Sequence, residues 1–286
     1  MYISEKAPAK INLTLEVKKE RQDGYHDLIS IMTTIDLADR IDFELNEDSP
    51  KIEFYSEKLI SKRNIRKNLV YQTARLLQHQ FQVKQGAKIK IEKHIPVSAG
   101  LGGGSSDAAA ALRGLNRLWG LNLTVQEMKE LGSQIGSDVP FCVHNATALV
   151  RGRGEHLFRL PKPPCCWVIL VKPFCRISTG DVFRNFLLKP NYERPDHQAV
   201  VEAIHCGDYK KMANNLSNML EEVTIEMTKE VVLLKNRMAQ LDVEGIVMSG
   251  SGPTVYGLVK TEAKVKRIIN GLRGYGQKVY AVRMLG

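Results

Sequence analysis

Between Pro96 and Leu112 the chain reads P-V-S-A-G-L-G-G-G-S-S-D-A-A-A-A-L, with four glycines (Gly100, Gly102, Gly103, Gly104) among five residues. Glycines this dense add nothing to a packed core; they tolerate positive φ and let a ligand approach the backbone. Ser105, Ser106 and Asp107 are good N-cap and first-turn residues, and the alanines after them are the best helix formers. The segment predicts a glycine loop feeding a helix N-terminus. Unpaired N–H groups and the positive end of the helix dipole meet there, which suits an anion, most often phosphate. The candidate cradle is Pro96, Val97, Ser98, Ala99, Gly100, Leu101, Gly102, Gly103, Gly104, Ser105 and Ser106.

The loop is neither common nucleotide fingerprint. A P-loop needs a lysine after its glycines, and G-x-G-x-x-G needs glycine where Ser105 stands. A merely flexible connection is the alternative. Three further islands carry chemistry-bearing residues: Lys6 to Leu15 (K-A-P-A-K-I-N-L-T-L) with Arg21 to His26 (R-Q-D-G-Y-H), Gly136 to Phe141 (G-S-D-V-P-F), and Ser249 to Gly257 (S-G-S-G-P-T-V-Y-G). Asp138 sits in a break, where a side chain is presented at the end of an element; a turn or N-cap aspartate is the plainer reading. Lys10 alternates with Ile11, as a lysine on the polar face of a strand also would. Tyr25 offers an aromatic face for a nucleobase and His26 an imidazole for its edge. Gly250, Ser251 and Gly252 lack bulk, as a backbone packed against phosphates or against the first glycine loop requires. A strand-joining turn would read the same way.

Together the islands, which run from residue 6 to residue 257, resemble the GHMP kinase superfamily. The resemblance implies an α+β, two-domain GHMP kinase fold: an N-terminal ATP-binding domain like ribosomal protein S5 domain 2 (residues 1–161) and a C-terminal ferredoxin-like domain (165–286). It implies transfer of the γ-phosphoryl group of ATP to an alcohol. The D-G-Y-H element, with the Lys10/Asn12 strand before it, narrows the resemblance, which then implies the 2-hydroxyl of a methylerythritol unit carried on a cytidine diphosphate, in the non-mevalonate route to isoprenoids. By match to the family motifs, Asp138 is the candidate base for that hydroxyl and Lys10 its catalytic partner. Tyr25, His26 and Phe183 hold the cytosine, Asn12 meets the substrate, and Thr179, Gly250, Ser251 and Gly252 line its site. Asn68 lies near the nucleotide. Phosphoryl transfer also calls for Mg2+. Its ligands are unassigned: Ser106 and Asp138 are candidates, or the ion rides mainly on ATP. Another GHMP small-molecule kinase, of homoserine or mevalonate type, is the nearest alternative. A regulatory relative that has lost activity is disfavoured by the intact Lys10 and Asp138.

These residues need elements to position them. Ile11, Leu13, Leu15 and Val17 alternate, which predicts a strand over about 2–19. Further strands are expected at 28–37, 40–45, 51–55, 87–93, 146–151 and 156–160. Helices are expected over 68–81, after the glycine loop to about Leu118, and from a Thr124 N-cap with Glu127 as capping-box partner to about Ile135. The Lys162-Pro-Pro164 stretch is the best linker candidate. Beyond it strands at 167–171, 245–248, 254–259 and 278–283 mix with helices at 179–187, 197–204, 208–220, 228–240 and 262–272. That order fits a compact α+β domain of about four strands.

Composition excludes several classes. The 286 residues suffice for one large domain or two ordinary ones. No apolar run approaches the ~18 residues that span a bilayer. The N-terminus carries Glu5, Lys6 and Lys10 and does not resemble a secretory signal. Five cysteines, none in a CxxC pair and two adjacent (Cys165, Cys166), argue against a disulfide framework or zinc site and for the cytoplasm. The net charge of +10 raises nucleic-acid binding as the reading from another class. The basic residues are scattered, however, and the densest group, Lys58 to Lys67, holds no aromatic. The charge instead suits anionic small molecules. The expected partners are thus ATP and the cytidine diphosphate substrate, with no membrane, and the chain is expected as a monomer or weak homodimer.

Overall fold

In β1 (Tyr2–Glu20) the apolar alternation puts Ile11, Leu13, Leu15 and Val17 on one buried face. The opposite face, Lys10, Asn12, Thr14 and Glu16, is buried as well. A strand polar on a buried face must satisfy those groups internally, and this requirement shapes the site described below. The computed structural model describes residues 1–22, 24, 26–56, 65–186 and 192–286. Tyr25 and most of the basic group Lys58 to Lys67 lie outside the described residues.

The two strands expected at 28–37 and 40–45 are one 21-residue strand, β2 (His26–Asn46). No glycine or proline separates them, and Asp39, in the gap between the two expected strands, is buried and hydrogen-bonded. The chain forms two compact units, neither continuous in sequence. One comprises Met1–Ala9, Leu37–Val97 and Gly102–Asn145; the other comprises Lys10–Asp36, Ser98–Leu101 and Ala146–Gly286.

In the first unit β3 (Ile52–Ser56) pairs in parallel with β4 (Gly86–Glu92), which runs antiparallel to residues 40–46 of β2. The helices are α1 (Leu69–Gln80), α2 (Gly103–Leu118), α3 (Val125–Ile135) and α4 (Val139–His144). The alanine run of α2 is buried from Ala108 to Ala111, and small residues let it pack closely. At Gly114 an added Cβ would stand 2.4 Å from the ring of Phe43. α3 begins with the Thr124–Glu127 capping box and ends at Ile135, as expected.

In the second unit β5 (Ala148–Gly152) pairs antiparallel with residues 28–32 of β2 and with β6 (His156–Arg159). A separate four-stranded antiparallel sheet has the order β11-β7-β10-β9, from β7 (Trp167–Lys172), β9 (Glu244–Met248), β10 (Val255–Val259) and β11 (Lys278–Arg283). Its helices are α5 (Thr179–Asn185), α6 (His197–Cys206), α7 (Tyr209–Asn214), α8 (Leu220–Met227), α9 (Glu230–Ala239) and α10 (Glu262–Leu272). The core includes Leu15, Val17, Ile169, Val171, Val223, Leu234, Val255 and Leu272. The single helix expected over 208–220 is instead α7, then the two-residue strand β8 (Ser217–Asn218), then α8. β8 pairs in parallel with Thr14 and Leu15 of β1. Asn218 donates to the carbonyls of Met248 and Gly250, both at 2.8 Å, so a tertiary demand overrides the helical pattern there. No helix among the described residues is long and apolar enough to cross a membrane.

Candidate active site

The glycine loop leads into α2, but Ser105 and Ser106 do not cap it. The N-cap is Gly102, at φ +66, which has no side chain to cap the first turn. Uncapped N–H groups at the start of a 16-residue helix retain the anion-binding capacity that a serine cap would have consumed. The Ser106 hydroxyl is buried and donates to the carbonyl of Pro8 at 2.7 Å, tying the helix start to β1. Gly104 lies near Leu69, the first residue of α1. Asn68 caps α1, its Oδ1 accepting from Val70 N at 2.9 Å.

Residues 98–101 of the loop belong to the second unit, where they meet the second glycine island. Gly100 has φ +73, and a Cβ there would lie 2.0 Å from the carbonyl oxygen of Ser249. The Ser249 hydroxyl donates to Gly100 O at 2.9 Å. Of the two placements expected for Gly250 to Gly252, the structure shows packing against the first glycine loop. Ser251 and Thr179 exchange a hydroxyl hydrogen bond at 2.8 Å, which joins that island to the start of α5.

Lys10 lies at this junction. Its backbone N–H donates to Leu101 O at 3.0 Å, and its Nζ would lie 3.4 Å from a Cβ on Gly250. Only 4% exposed, Lys10 is not the surface lysine its alternation allowed. Its Nζ donates to Asn12 Oδ1 at 2.8 Å, and Asn12 Nδ2 donates to Ser30 Oγ at 2.9 Å. Asn12's carbonyl accepts from the buried Tyr256 hydroxyl at 2.8 Å. A buried cation in a water-poor setting acts strongly on any charge that develops beside it.

His26 opens β2, and its ring lies 5.4 Å from that of Phe183, tilted by 38°. Phe186 meets His26 edge-on at 6.2 Å, and Tyr192 stacks on Phe186 at 5.5 Å. The structure therefore brings together Lys10, Asn12, Gly100 and Gly250, Thr179 with Ser251, and His26 with Phe183. Asn68, Pro96, Val97, Gly102 to Ser106 and Asp138 belong to the first unit.

The break read at 136–141 is a short helix, α4, with Asp138 at its N-cap position. Asp138 stands in the turn before α4, as the plainer reading had it, and its side chain makes no cap bond. It is half-buried. Among the described residues no group of three His, Cys, Asp or Glu side chains could hold a metal ion.

Sequence reasoning missed a buried ionic cluster beside the phosphate loop. Lys93 Nζ donates to Asp39 and, at 2.6 Å, to Asp107 Oδ2; it also lies 3.6 Å from a Cβ on Gly103. Asp39 Oδ1 accepts from the backbone N–H groups of His94 and Ile95, at 2.6 and 2.8 Å. Burial and neighbouring Asp39 push the Asp107 carboxyl up to about 7 against the pull of Lys93. Burial works to lower the Lys93 pKa, but the two carboxylates outweigh it and raise it. The one available signal was Asp107 itself, an acid immediately before the buried alanine run of α2.

The model for the N-terminal domain of GHMP kinases matches residues 68–146, and that for the C-terminal domain of GHMP kinases matches residues 200–278. The chain belongs to the GHMP kinase family. It is 52% identical to a 4-diphosphocytidyl-2-C-methyl-D-erythritol kinase of Bacillus pumilus and 53% identical to that of Bacillus subtilis, each over 100% of this chain and 98% of the relative. Among solved structures, a 4-(cytidine 5'-diphospho)-2C-methyl-D-erythritol kinase superposes with a TM-score of 0.82 at 32% identity, covering 99% of this chain and 100% of the other. A homoserine kinase from Cytophaga hutchinsonii shares the fold, with a TM-score of 0.79 at 17% identity over 98% of this chain and 94% of the other.

Proposed function

We propose that the chain transfers the γ-phosphoryl group of ATP to the 2-hydroxyl of 4-diphosphocytidyl-2-C-methyl-D-erythritol. The observation that carries the site is buried Lys10 at the meeting of the two glycine islands. Full-length identity to kinases bearing that substrate's name carries the choice of alcohol. Residues 1–161 and 165–286 correspond to the family's ATP-binding and ferredoxin-like domains, and the enzyme is a cytoplasmic monomer or weak homodimer.

Phosphoryl transfer asks little covalent chemistry of a protein; it asks for positioning and for charge. The uncapped N–H groups at the start of α2 cradle the phosphates of ATP, and Asn68 stands near the nucleotide. Asp138 accepts the hydroxyl proton. Lys10 stabilises the developing alkoxide and the charge on the transferred group, and Asn12 fixes where its ammonium points. Tyr25 and Phe183 hold the cytosine between them, and His26 bonds its edge. Thr179 and Gly250 to Gly252 line the remainder of the substrate. The described residues fit Mg2+ held mainly by phosphate oxygens and water, with Ser106 and Asp138 as candidate protein ligands. The ion would neutralise phosphate charge.

A coupled assay for ADP release tests the reading with three alcohols: the cytidine diphosphate compound, homoserine and mevalonate. Turnover is expected with the first alone. Turnover of homoserine or mevalonate without the first would reassign the substrate within the family.

A further inference from the structure

The buried polar face of β1 continues past Lys10 and Asn12 to Thr14 and Glu16, and it ends against His197, the first residue of α6. His197 Nδ1 lies 2.8 Å from Thr14 Oγ1, and its Nε2 lies 3.1 Å from Glu16 Oε2. Both ring nitrogens are thus engaged, and the direction of each bond follows from the groups around them.

Burial works to raise the Glu16 pKa, but hydrogen bonds from Lys18 and His197 outweigh it and the net shift is downward. An ionised carboxylate only accepts, so Nε2 of His197 carries the proton. The groups facing this ring are Glu16 and Lys18 from β1, Asp196 at the α6 N-cap, and Arg194, whose Nε lies 3.8 Å from Glu16. Burial lowers the His197 pKa below its ordinary value, outweighing the pull of Glu16. The ring is therefore neutral near pH 7, and Nδ1 is bare. Thr14 must donate its hydroxyl proton to Nδ1 while its oxygen accepts from Ile31 N–H at 3.1 Å. Ser30, the neighbour of Ile31, donates to the Thr14 carbonyl at 2.6 Å and accepts from Asn12. Asn12 in turn accepts from Lys10. Two files of hydrogen bonds meet where β1 faces β2: Glu16, His197, the Thr14 hydroxyl and Ile31 N–H form one, and the Thr14 carbonyl, Ser30, Asn12 and the Lys10 ammonium form the other, with Ser30 and Ile31 adjacent in the chain.

We propose that His197 is a positioning residue for Lys10: its bare Nδ1 fixes the Thr14 hydroxyl on Ile31 N–H, which holds the adjacent Ser30 and, through Ser30 and Asn12, the ammonium that serves phosphoryl transfer. The inference rests on the role given to Lys10 above. Protonating Nδ1 would remove the acceptor of the Thr14 hydroxyl: the oxygen can take both the ring N–H and Ile31 N–H on its two lone pairs, but its own buried proton is left without a partner. The two files loosen when His197 takes a proton, and kcat falls with it.

The two ring nitrogens can be separated by substitution. His197→Asn retains an acceptor near the Nδ1 position and loses Glu16; His197→Gln retains a donor toward Glu16 and loses the Nδ1 acceptor. With ATP and the cytidine substrate, His197→Ala and His197→Gln are expected to lower kcat about tenfold, with KM for ATP unchanged. His197→Asn stays within about threefold of wild type, and its kcat falls at lower pH than wild type's on the acid side. Thr14→Val matches His197→Ala and adds nothing to it. A loss in His197→Asn as large as in His197→Gln, or a KM for ATP that moves with kcat, overturns the proposal. A second readout needs no turnover: the 15N signal of the Lys10 ammonium, assigned by its disappearance in Lys10→Met. It should be sharp in wild type and His197→Asn and broadened in His197→Ala; a signal unchanged in His197→Ala also overturns the proposal. Should wild type turn over none of the cytidine substrate, the substrate reading fails and the Lys10 signal alone decides the role of His197.

Discussion

The hydroxyl of Ser249 donates to the carbonyl of Gly100 across 2.9 Å, joining two glycine loops 149 residues apart in sequence. Beside that bond, neither Gly100 nor Gly250 has room for a side chain. At Gly100 a Cβ would lie 2.0 Å from Ser249 O, and φ is +73. Gly100→Ala therefore meets two penalties. The left-handed backbone costs about 1–2 kcal/mol for any L-residue, and the clash is with backbone, which cannot swing aside. A fall in melting temperature of at least about 3 °C is expected, with loss of ADP release. A variant that melts and turns over like wild type would show that the two loops do not need this contact.

Lys10 and Asp138 should fail in the chemical step. Lys10→Met removes the buried ammonium and keeps most of the side-chain volume; Asp138→Asn removes a proton acceptor at little steric cost. Each is expected to lower kcat by about 10²-fold or more. The KM for ATP should stay near that of wild type, because neither residue belongs to the phosphate cradle. Steady-state kinetics with circular dichroism as a fold control decides the matter. Near wild-type kcat in both variants would withdraw the catalytic roles and leave the family assignment untouched.

Sequence periodicity carried far where elements are set by their own residues. The alternation of β1, the Thr124–Glu127 capping box and the four-strand sheet of the second unit follow from local pattern. It failed where a distant group decides. Asp39 falls in the gap between two expected strands, yet it lies inside β2 because the backbone N–H groups of His94 and Ile95 bond its carboxylate. Residues 217–218 look helical, yet Asn218 is drawn into a strand by the carbonyls of Met248 and Gly250. The helix after the glycine loop starts at Gly103 and not at the serines, because Ser106 is used on Pro8. Among the residues proposed for the site, the pairing of Lys10 with Asn12 on one face of β1 was legible from their spacing. The Lys93 cluster and His197 were not, since their partners lie on other elements and no spacing in the chain announces them.

Phe183 should govern one substrate and not the other. Its ring packs on His26 at 5.4 Å in the second unit. An aromatic partner contributes about 0.5–1.5 kcal/mol beyond its buried area, so Phe183→Ala should raise KM for the cytidine substrate about tenfold. Phe183→Tyr should restore it, and KM for ATP should not move in either variant. Equal changes in both KM values would mean that the aromatic group supports the fold and does not hold a base.

The Asp39–Lys93–Asp107 cluster predicts how stability responds to pH. Asp107 Oδ1 is buried without a hydrogen-bond partner, while Oδ2 meets Lys93. Its carboxyl is pushed up to about 7, from an ordinary value of 3.8, by burial first and then by Asp39. A carboxyl with a raised folded-state pKa binds its proton more tightly in the native state than in the unfolded one. Its contribution to stability therefore falls as pH rises from about 4 to about 7, and it stays low above that. Lys93 is raised too, so its own contribution is fully present below 10.5 and does not vary across this window. Asp107→Asn cannot titrate. The melting temperature of wild type minus that of Asp107→Asn should accordingly shrink between pH 4 and pH 7, and then level off. A difference that grows with pH would mean that the pull of Lys93 outweighs burial and that Asp107 is ionised throughout. In that case Lys93→Met should destabilise the protein far less at pH 5 than at pH 8, because the carboxylates it abandons could then take up protons only at low pH.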